Sequence, residues 1–195
     1  VEQSLPLDPS GVVYDVVTRQ PVAAATVTVT GPPAFNPATH LLGGATNQNQ
    51  VTGVDGFYQF LLVGGAPAGT YMISVTPPAG YTAPSTQIPP TGTLDPTGQG
   101  FGGVFPVQAQ SGPPANAQPT TYHLALTLEP GDPNVINNHI PVDPTAGAGG
   151  SLVLRKNASK TVAAVGDFVQ YQLLLSNPGT TAVTGQRRWE RAGAG

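Results

Sequence analysis

Hydrophobic and polar residues alternate with a period of two along much of the first two thirds of the chain. Residues 25–30 read A-T-V-T-V-T, which places Val27 and Val29 on one face of an extended segment and the threonines on the other. Residues 11–17, G-V-V-Y-D-V-V, are rich in β-branched residues, which favour strands. The pattern predicts two neighbouring β-strands.

Three further segments have strand patterns. They are F-Y-Q-F-L-L at 57–62, Y-M-I-S-V-T at 71–76 and T-Y-H-L-A-L-T-L at 121–128. Glycine-containing turns, D-G and A-G-T, precede the first two of them. The sequence therefore predicts an all-β domain. Its predicted core consists of Val27, Val29, Tyr71, Ile73, Val75, Leu124 and Leu126.

Two long stretches between these strands, residues 32–50 and 77–118, are rich in Pro, Gly, Asn and Gln. Stretches of that length are normally surface loops, and loops often carry binding specificity. Residues 129–150 combine repeated prolines with a Gly/Ala run and are predicted to be a linker. The strands then belong to one domain at 11–128, preceded by a lead-in at 1–10.

A second strand pattern begins after the predicted linker. Three strands, the second of them at 161–167, are predicted within 151–185, whereas a β-sandwich usually needs about seven. This module is therefore predicted to be incomplete. Residues 186–195 hold the only tryptophan and three of the seven basic residues, and they form an atypical tail. The third strand predicted within 151–185 covers residues 168–177, and its side chains predicted to face a core are Val169, Tyr171, Leu173 and Leu175.

The chain is poor in charge. Charged residues make up 9% of it, against about 25% in an average globular protein, so its surface must consist mainly of uncharged polar residues, glycine and proline. A net charge of -3 provides no electrostatic attraction for nucleic acid or anionic membranes, and neither is predicted as a partner. No cysteine is present, and no apolar run approaches the ~18 residues of a membrane span. Residue 1 is valine rather than an initiator methionine, which leaves room for a leader upstream.

No residues have the spacing of a catalytic or metal site. The histidines His40, His123 and His139 lie in different segments and form no paired metal-binding spacing. His123 alternates with the apolar face of its strand and is predicted to face solvent. No serine lies in a G-x-S-x-G context, and no close pair of carboxylates suggests a glycosidase. The sequence predicts no catalytic, cofactor-binding or metal-binding residues, and a protein that is not an enzyme.

The predicted linker contains a group of oxygen-bearing side chains. Calcium uses such ligands, although this segment lacks the D-x-[DN]-x-[DN]-G string and has only two carboxylates. Turn and capping roles explain the same residues more simply. No cofactor is therefore predicted, with calcium as the alternative. The residues concerned are Asp132, Asn134, Asn137, Asn138 and Asp143.

Four ordered motifs in residues 11–128 carry a family resemblance. They are G-V-V-Y-D followed by Pro21, the Val/Thr strand, T-x-x-D-G-x-Y-x-F at 52–60, and G-T-Y-x-(hydrophobic)-x-V at 69–75 followed by P-x-G-Y at 78–81. The segment resembles carboxypeptidase-regulatory-like and collagen-adhesin B-type modules, including the B-domains of serine-aspartate repeat proteins. This resemblance implies a transthyretin-like Greek-key β-sandwich.

Residues 151–185 resemble the opening of the conserved-repeat modules of the DUF-eleven family, which occur in tandem in large bacterial envelope proteins. The shared motifs are L-x-L-x-K-x-A-S-K, V-G-D-x-V-x-Y and N-P-G-T-T-A-V-T-G. The resemblance covers only the first part of a module and implies an incomplete immunoglobulin-like β module. Together the two resemblances imply export to a cell surface, because such tandems occur in extracellular stalks and adhesins.

The first module departs from its family in one respect, the covalent crosslink. Collagen-adhesin B-type modules often join a lysine to an asparagine through an internal isopeptide bond, which needs a desolvated lysine amine. No lysine occurs before Lys156, so the first module cannot form that bond. Lys156 and Lys160 are predicted to be solvated charges at a strand edge, where they discourage edge pairing.

The sequence thus predicts a non-catalytic structural spacer or adhesive module of a large secreted bacterial cell-surface protein, located outside the cell. Its expected partners are neighbouring β modules of the same polypeptide, and a host or matrix protein or glycan. The alternative is a carbohydrate- or protein-binding accessory module of a secreted multidomain enzyme, which would bind through the loops at 32–50 and 77–118. Exposed aromatic residues would favour it, because sugar rings stack on them. These loops hold Phe35, Tyr81, Phe101 and Phe105.

Overall fold

The computed structural model describes residues 8–100, 103–115, 120–145, 153–158, 162 and 168–176. Regular structure in these ranges is β-strand, apart from one four-residue helix, α1 (Pro37–His40), and a short 3-10 helix at Gly44–Gln48. The predicted all-β class is therefore confirmed. The chain divides into two compact units, residues 1–144 and 145–195. Among the described residues, no helix has the length and hydrophobicity to cross a bilayer.

Ten of the described strands lie in the first unit and two in the second. In chain order they are β1 (Ser10–Asp15), β2 (Thr26–Thr30), β3 (Asn49–Val51), β4 (Phe57–Gln59), β5 (Gly69–Thr76), β6 (Tyr81–Thr82), β7 (Val104–Pro106), β8 (Ala125–Leu128), β9 (Asn134–Ile136), β10 (Ile140–Pro144), β11 (Val153–Ala158) and β12 (Tyr171–Ser176).

Two four-stranded sheets build the first unit. Sheet A has the order β4-β1-β10-β6, and sheet B has the order β3-β2-β5-β8. In sheet A, β1 pairs antiparallel with β4 and parallel with β10, with Val13 opposite Ile140 and Asp15 opposite Val142. Sheet B is antiparallel throughout. β7 and β9 form a separate parallel pair. The first and last strands of the unit are therefore neighbours that run in the same direction.

One cluster of buried side chains joins the two sheets. It combines Val13 and Ile140 of sheet A with the alternating hydrophobic residues of β2 and β5 in sheet B. Five of the seven predicted core residues are buried, which confirms them, while Val75 and Leu124 are partly buried against the same cluster. The five confirmed residues are Val27, Val29, Tyr71, Ile73 and Leu126.

The prediction that the first two strands are neighbours is wrong, because β1 lies in sheet A and β2 in sheet B. All six residues of β1 are buried, so both faces of this strand are covered by protein. A strand of that kind lies inside a sheet and has a nearly continuous hydrophobic sequence. β2 instead alternates between buried valines and more exposed threonines, as a strand with one covered face does.

The predicted linker at 129–150 is wrong for residues 129–144, which belong to the first unit. They form β9 and β10, and β10 lies inside sheet A between β1 and β6. The prolines of this segment indicated a linker, but each proline removes only one hydrogen-bond donor from a strand. Burial of Ile140 and Val142 opposes that loss, at about 1.5–3 kcal/mol for each fully buried side chain.

The two predicted surface loops are partly packed onto the domain. The stretch at 32–50 contains α1 and the 3-10 helix, and its Leu41 is buried. The stretch at 77–118 contributes β6 and β7 and buries Leu94, which bridges to Leu126 of β8. Buried leucines and several partly buried hydrophobic residues therefore anchor these Pro/Gly-rich stretches to the core.

In the second unit, β11 and β12 pair antiparallel. Of the predicted core face, Tyr171, Leu173 and Leu175 are 55–60% exposed, so the prediction is wrong for these three, while Val169 is half-buried. Exposed Lys156 lies with its Nζ 4.1 Å from the centre of the Tyr171 ring, a cation–π contact between the two strands. The predicted strand at 161–167 lies outside the described residues except for Val162.

The predicted tail at 186–195 and Lys160 also lie outside the described residues. The same holds for most of the lead-in, of which Asp8, Pro9 and Ser10 are described. Ser10 is already part of β1, and the Phe60 amide donates a hydrogen bond to the Pro9 carbonyl at 3.0 Å. Residues before Gly11, where the predicted module begins, therefore already belong to the fold of the first unit.

Replacement of Ile73 by alanine should lower the free energy of unfolding by about 2–5 kcal/mol, because the side chain is 2% exposed inside the core cluster. Met72, the preceding residue on the same strand, is 46% exposed, so Met72→Ala is the matched control and should change stability by about 0.5 kcal/mol or less. Urea-induced unfolding of the two variants measures both values. Equal losses would contradict the placement of the two faces of β5.

Candidate functional site

Asn138 and His139, two buried residues just before β10, connect the first and last strands of the first unit. The Val12 amide donates a hydrogen bond to Nδ1 of His139 at 3.1 Å. Nε2 of the same ring donates to the Gln110 carbonyl at 2.8 Å. An imidazole nitrogen thus accepts the hydrogen bond of a strand N–H. We call the contacts between residues 10–16 and 138–142 the terminal seam.

Asn138 uses every polar group it has. Its amide donates to the Ser10 carbonyl at 2.9 Å, and its carbonyl accepts from the Tyr58 hydroxyl at 2.7 Å. Its side chain donates to the His123 carbonyl and accepts from the His123 amide, both at 2.8 Å. Gly11 provides the space, since a Cβ there would collide with the Asn138 carbonyl. A fully satisfied network of this kind fixes one arrangement of the strands.

The geometry also fixes the proton on His139. Because Nδ1 accepts a hydrogen bond and Nε2 donates one, the imidazole is neutral. Burial disfavours the charged ring and lowers the pKa of His139, and the Gln110 carbonyl only partly opposes that shift. Protonation of Nδ1 would place a donor against the Val12 N–H and would remove this hydrogen bond.

The prediction that His123 faces solvent is wrong, because its side chain is buried and its Nδ1 lies 2.9 Å from the Gly92 carbonyl. The reason is that residues 91–94 pair with the edge of β8 and the segment before it, which covers the side expected to be open. His40 lies at the end of α1, where its Nδ1 accepts from the Asn36 amide at 2.9 Å. The three histidines remain separate, each with its own structural contact.

The carboxylate of Asp143 anchors the loop after β6. It accepts hydrogen bonds from the Ser85 hydroxyl and, at 2.7 Å each, from the amide and hydroxyl of Thr86. Burial disfavours its charge, but these donors outweigh that effect and hold the pKa of Asp143 below its usual value. The Ser85 oxygen is buried and also accepts from the Ile88 amide at 3.1 Å. The contact therefore ties down a loop and presents no nucleophile to solvent.

Asp15 anchors the turn after β1 in a similar way. One carboxylate oxygen accepts from the amides of Val17 and Thr18, at 2.7 and 2.8 Å. The other accepts from the Tyr81 hydroxyl at 3.1 Å. Burial raises the pKa of Tyr81, and the adjacent Asp15 carboxylate raises it further. Asp15 and Asp143 thus hold loops at the same end of sheet A.

The oxygen-bearing side chains considered for calcium do not assemble into one site. Asp132 accepts from the Glu129 amide at 2.7 Å, which confirms a turn role for this residue. Asn137 donates to the Gln108 carbonyl at 2.9 Å, and Asn134 lies in β9. Among the described residues, no group of three or more histidine or carboxylate side chains is placed to hold a metal ion.

A groove of about 530 Å³ lies between β3 and β4, the edge strands of the two sheets. Gln50 of β3 joins these edges, since its side-chain amide donates to the Gln59 carbonyl of β4 and accepts from the Gln59 amide at 3.1 Å. One side chain therefore satisfies two outward-facing backbone groups of an edge strand. We call this space the edge groove.

The edge groove combines uncharged polar groups with hydrophobic surface. Asn47 and Asn49 contribute amides, and the side chains of Phe57 and Val51 are 47% and 68% exposed. The residues that line it include no charged side chain. Such a lining is suited to a neutral ligand with many hydroxyl groups, because amides bond hydroxyls and an aromatic ring covers the apolar face of a sugar.

The three loop aromatics that the structure describes do not form a sugar-binding platform. Phe35 packs edge-on against Tyr71 with ring centres 5.3 Å apart, and Phe105 is partly buried against the core. Tyr81 is bonded to Asp15 as described, and Phe101 lies outside the described residues. Phe57 is the half-exposed aromatic residue beside the edge groove. The sequence analysis did not single out Phe57 as a binding residue, because it lies in a predicted strand. The only sequence signal for its exposure was its position next to the D-G turn.

Comparison with known proteins adds no constraint. No family model, curated protein or solved structure matches the chain. The resemblances based on the sequence motifs therefore stay predictions, and functional conclusions depend on the geometry of the chain itself.

Acid should destabilise the first unit through His139. The folded-state pKa of this ring lies below the unfolded value of about 6.5. Between these two values the unfolded chain binds a proton that the folded chain does not, so stability falls as the pH decreases below about 6.5. Urea unfolding at a series of pH values from 7.5 downward measures the loss.

The variant His139→Asn separates this effect from general acid sensitivity, because its amide oxygen accepts a hydrogen bond and does not titrate. In this variant we expect a smaller loss of folding stability between about pH 7 and about pH 5, the range around the ordinary histidine pKa of about 6.5. His40→Asn is the matched control and should retain the acid loss. An unchanged pH dependence in His139→Asn would contradict the assignment of the effect to the terminal seam.

Proposed function

We propose that this chain is part of a non-catalytic structural spacer in a large secreted bacterial cell-surface protein. The observation that carries the proposal is the parallel pairing of β1 with β10. Because the first and last strands run in the same direction, the chain enters the first unit at one end of sheet A and leaves it at the other. Modules joined in tandem then line up end to end.

The chemistry of the first unit supports a structural function. The buried groups that elsewhere supply catalysis, His139, Asp143 and Ser85, each hold two or more hydrogen bonds within the unit. Groups bound in this way are not free to act as base or nucleophile toward a substrate. We therefore propose that these residues serve stability, and that the chain is not an enzyme.

The motifs at 11–128 and 151–185 support the more specific parts of the proposal. Their resemblance to adhesin B-type and DUF-eleven modules favours a transthyretin-like Greek-key topology for the first unit, an extracellular location and neighbouring β modules as partners. The low charge content agrees with a long surface protein that displays Thr, Asn, Gln and Gly to solvent. A host or matrix protein or glycan is the proposed ligand class of the adhesive form.

Tandem copies of residues 8–145 test the spacer function. Proteins with one, two and three copies, each joined from Thr145 to Asp8, should gain nearly equal increments in maximum dimension, each at least the length of β1, about 20 Å at about 3.3 Å for each of its six residues. Small-angle X-ray scattering measures this dimension. Copies that collapse into a compact particle, with little gain from the second to the third, would contradict the proposal.

The edge groove favours a second candidate, a carbohydrate-binding accessory module of a secreted enzyme. Its amides and the half-exposed Phe57 ring match the chemistry of a neutral sugar, and no charge opposes such a ligand within the groove. The loop at 32–50, through which an accessory module was expected to bind its ligand, supplies Leu42 and Asn47 to the lining. Gln50 links this surface to both sheets, so the groove has a defined shape before any ligand binds.

Titration with hexamers of glucose and of N-acetylglucosamine tests this candidate. Binding in the edge groove should shift the amide NMR signals of Gln50 and Gln59, and Phe57→Ala should weaken it by more than tenfold, about 1.4 kcal/mol. Val54→Ala is the matched control, because Val54 is 92% exposed near the same turn but does not line the groove. Shifts confined to other surfaces would contradict the groove as the site.

A further inference from the structure

The terminal seam lies along the path that any pull on the chain must follow. Asp8, the first described residue, lies at the end of sheet A where β1 begins. Thr145 follows β10 at the opposite end, because Asp15 pairs with Val142 and β10 continues beyond that pair. Tension applied to the two ends of the unit therefore draws β1 and β10 past each other along their common axis.

The seam holds these strands by several separate hydrogen bonds. The Asn138 amide donates to the Ser10 carbonyl at 2.9 Å, and the Val12 amide donates to His139 at 3.1 Å. The parallel ladder then runs from Val13 to Asp15, and the Val16 amide donates to the Val142 carbonyl at 3.0 Å. The bonds are distributed over the full length of β1, so sliding the strands must break them together.

Neither strand of the seam can be peeled from an edge. β1 lies between β4 and β10, and β10 lies between β1 and β6. All six residues of β1 are buried, as are four of the five in β10. Beyond the ladder, Asp15 fixes the turn after β1 and Asp143 fixes the loop at Ser85. A load that separates the strands must therefore disrupt the interior of sheet A.

We propose that the terminal seam is a mechanical clamp, which resists tension along the chain by hydrogen bonds loaded in shear. A force along the strands acts on all these bonds at once, whereas a force across the strands opens them one after another. The clamp needs no covalent crosslink, which agrees with the absence of lysine before Lys156. The clamp deepens the proposed spacer function, and it rests on that function only for the direction of the tension, which a spacer receives at the two ends of the unit.

Single-molecule pulling in two directions tests the clamp on the full chain. The sequence has no cysteine, so the introduced thiols are the only attachment points for thiol-reactive handles. In the axial geometry, the handles are an N-terminal tag and Thr145→Cys. In the lateral geometry, they are Val54→Cys and Thr145→Cys, since both positions are exposed and lie at the Asp15 end of sheet A. The carbonyl of Gly56, two residues after Val54, accepts a hydrogen bond from the Val13 amide, which places the turn at residues 53–56 beside β1.

We expect a several-fold higher unfolding force in the axial geometry than in the lateral one at the same loading rate. Unfolding is identified by a gain in length of about 3.5 Å for each residue between the handles. Forced unfolding reports the barrier rather than equilibrium stability, so the same folded protein yields both forces. Ala23→Cys, at the exposed residue after Val22, whose amide bonds the Val13 carbonyl in the middle of β1, provides a second attachment point across the strands in a pair with Thr145→Cys.

Equal forces in the two geometries, or a higher lateral force, would overturn the clamp. That outcome leaves the spacer proposal intact if the tandem copies still extend in scattering experiments. Conversely, collapsed tandem copies with a high axial force would reject the spacer and keep the clamp. The two inferences therefore fail by different measurements.

Discussion

The structure of the first unit depends on the burial of β1. A strand whose six residues are all covered must have partners on both edges, because an unpaired buried backbone group costs free energy comparable to a lost hydrogen bond. β4 supplies one partner and β10 the other, although β10 follows more than a hundred residues later. The last strand of the unit therefore lies beside the first. This placement sets the direction in which the chain leaves the unit, forms the terminal seam and leaves β4 and β6 as the edge strands of sheet A.

Polar residues complete this arrangement where backbone pairing cannot. Asn138 and His139 lie at the point where the chain turns into β10, and between them they satisfy donors or acceptors of Ser10, Val12 and Gln110. A neutral imidazole is the acceptor in the middle of this contact, so the stability of this part of sheet A depends on a titrating group. Both ring nitrogens of His139 are engaged in hydrogen bonds with the backbone.

The sequence patterns predicted the half-buried strands and the presence of β1, but not the partner of β1 in sheet A or the strand β10. β2 and β5 alternate because one face of each meets the core, and their faces were predicted correctly. β10 has prolines at Pro141 and Pro144, which indicate a linker locally, and only the distant pairing with β1 makes it a strand. The edge groove likewise depends on two edges that meet in space, so no spacing along the chain indicates the contact between Gln50 and Gln59.

That contact also explains how a chain with so few charges protects one of its sheet edges, the edge at β4. Edge strands commonly carry lysine, which opposes pairing with another molecule, yet the first unit has none. The Gln50 amide presents a donor and an acceptor to β4 in the manner of a neighbouring strand, and Asp55 accepts from the Phe57 amide at 3.2 Å beside it. The outward-facing backbone groups of Phe57 and Gln59 that take part are thus satisfied from within the module. In a tandem protein, where identical edges are held at high local concentration, such internal satisfaction removes the groups through which neighbouring copies would otherwise pair and aggregate.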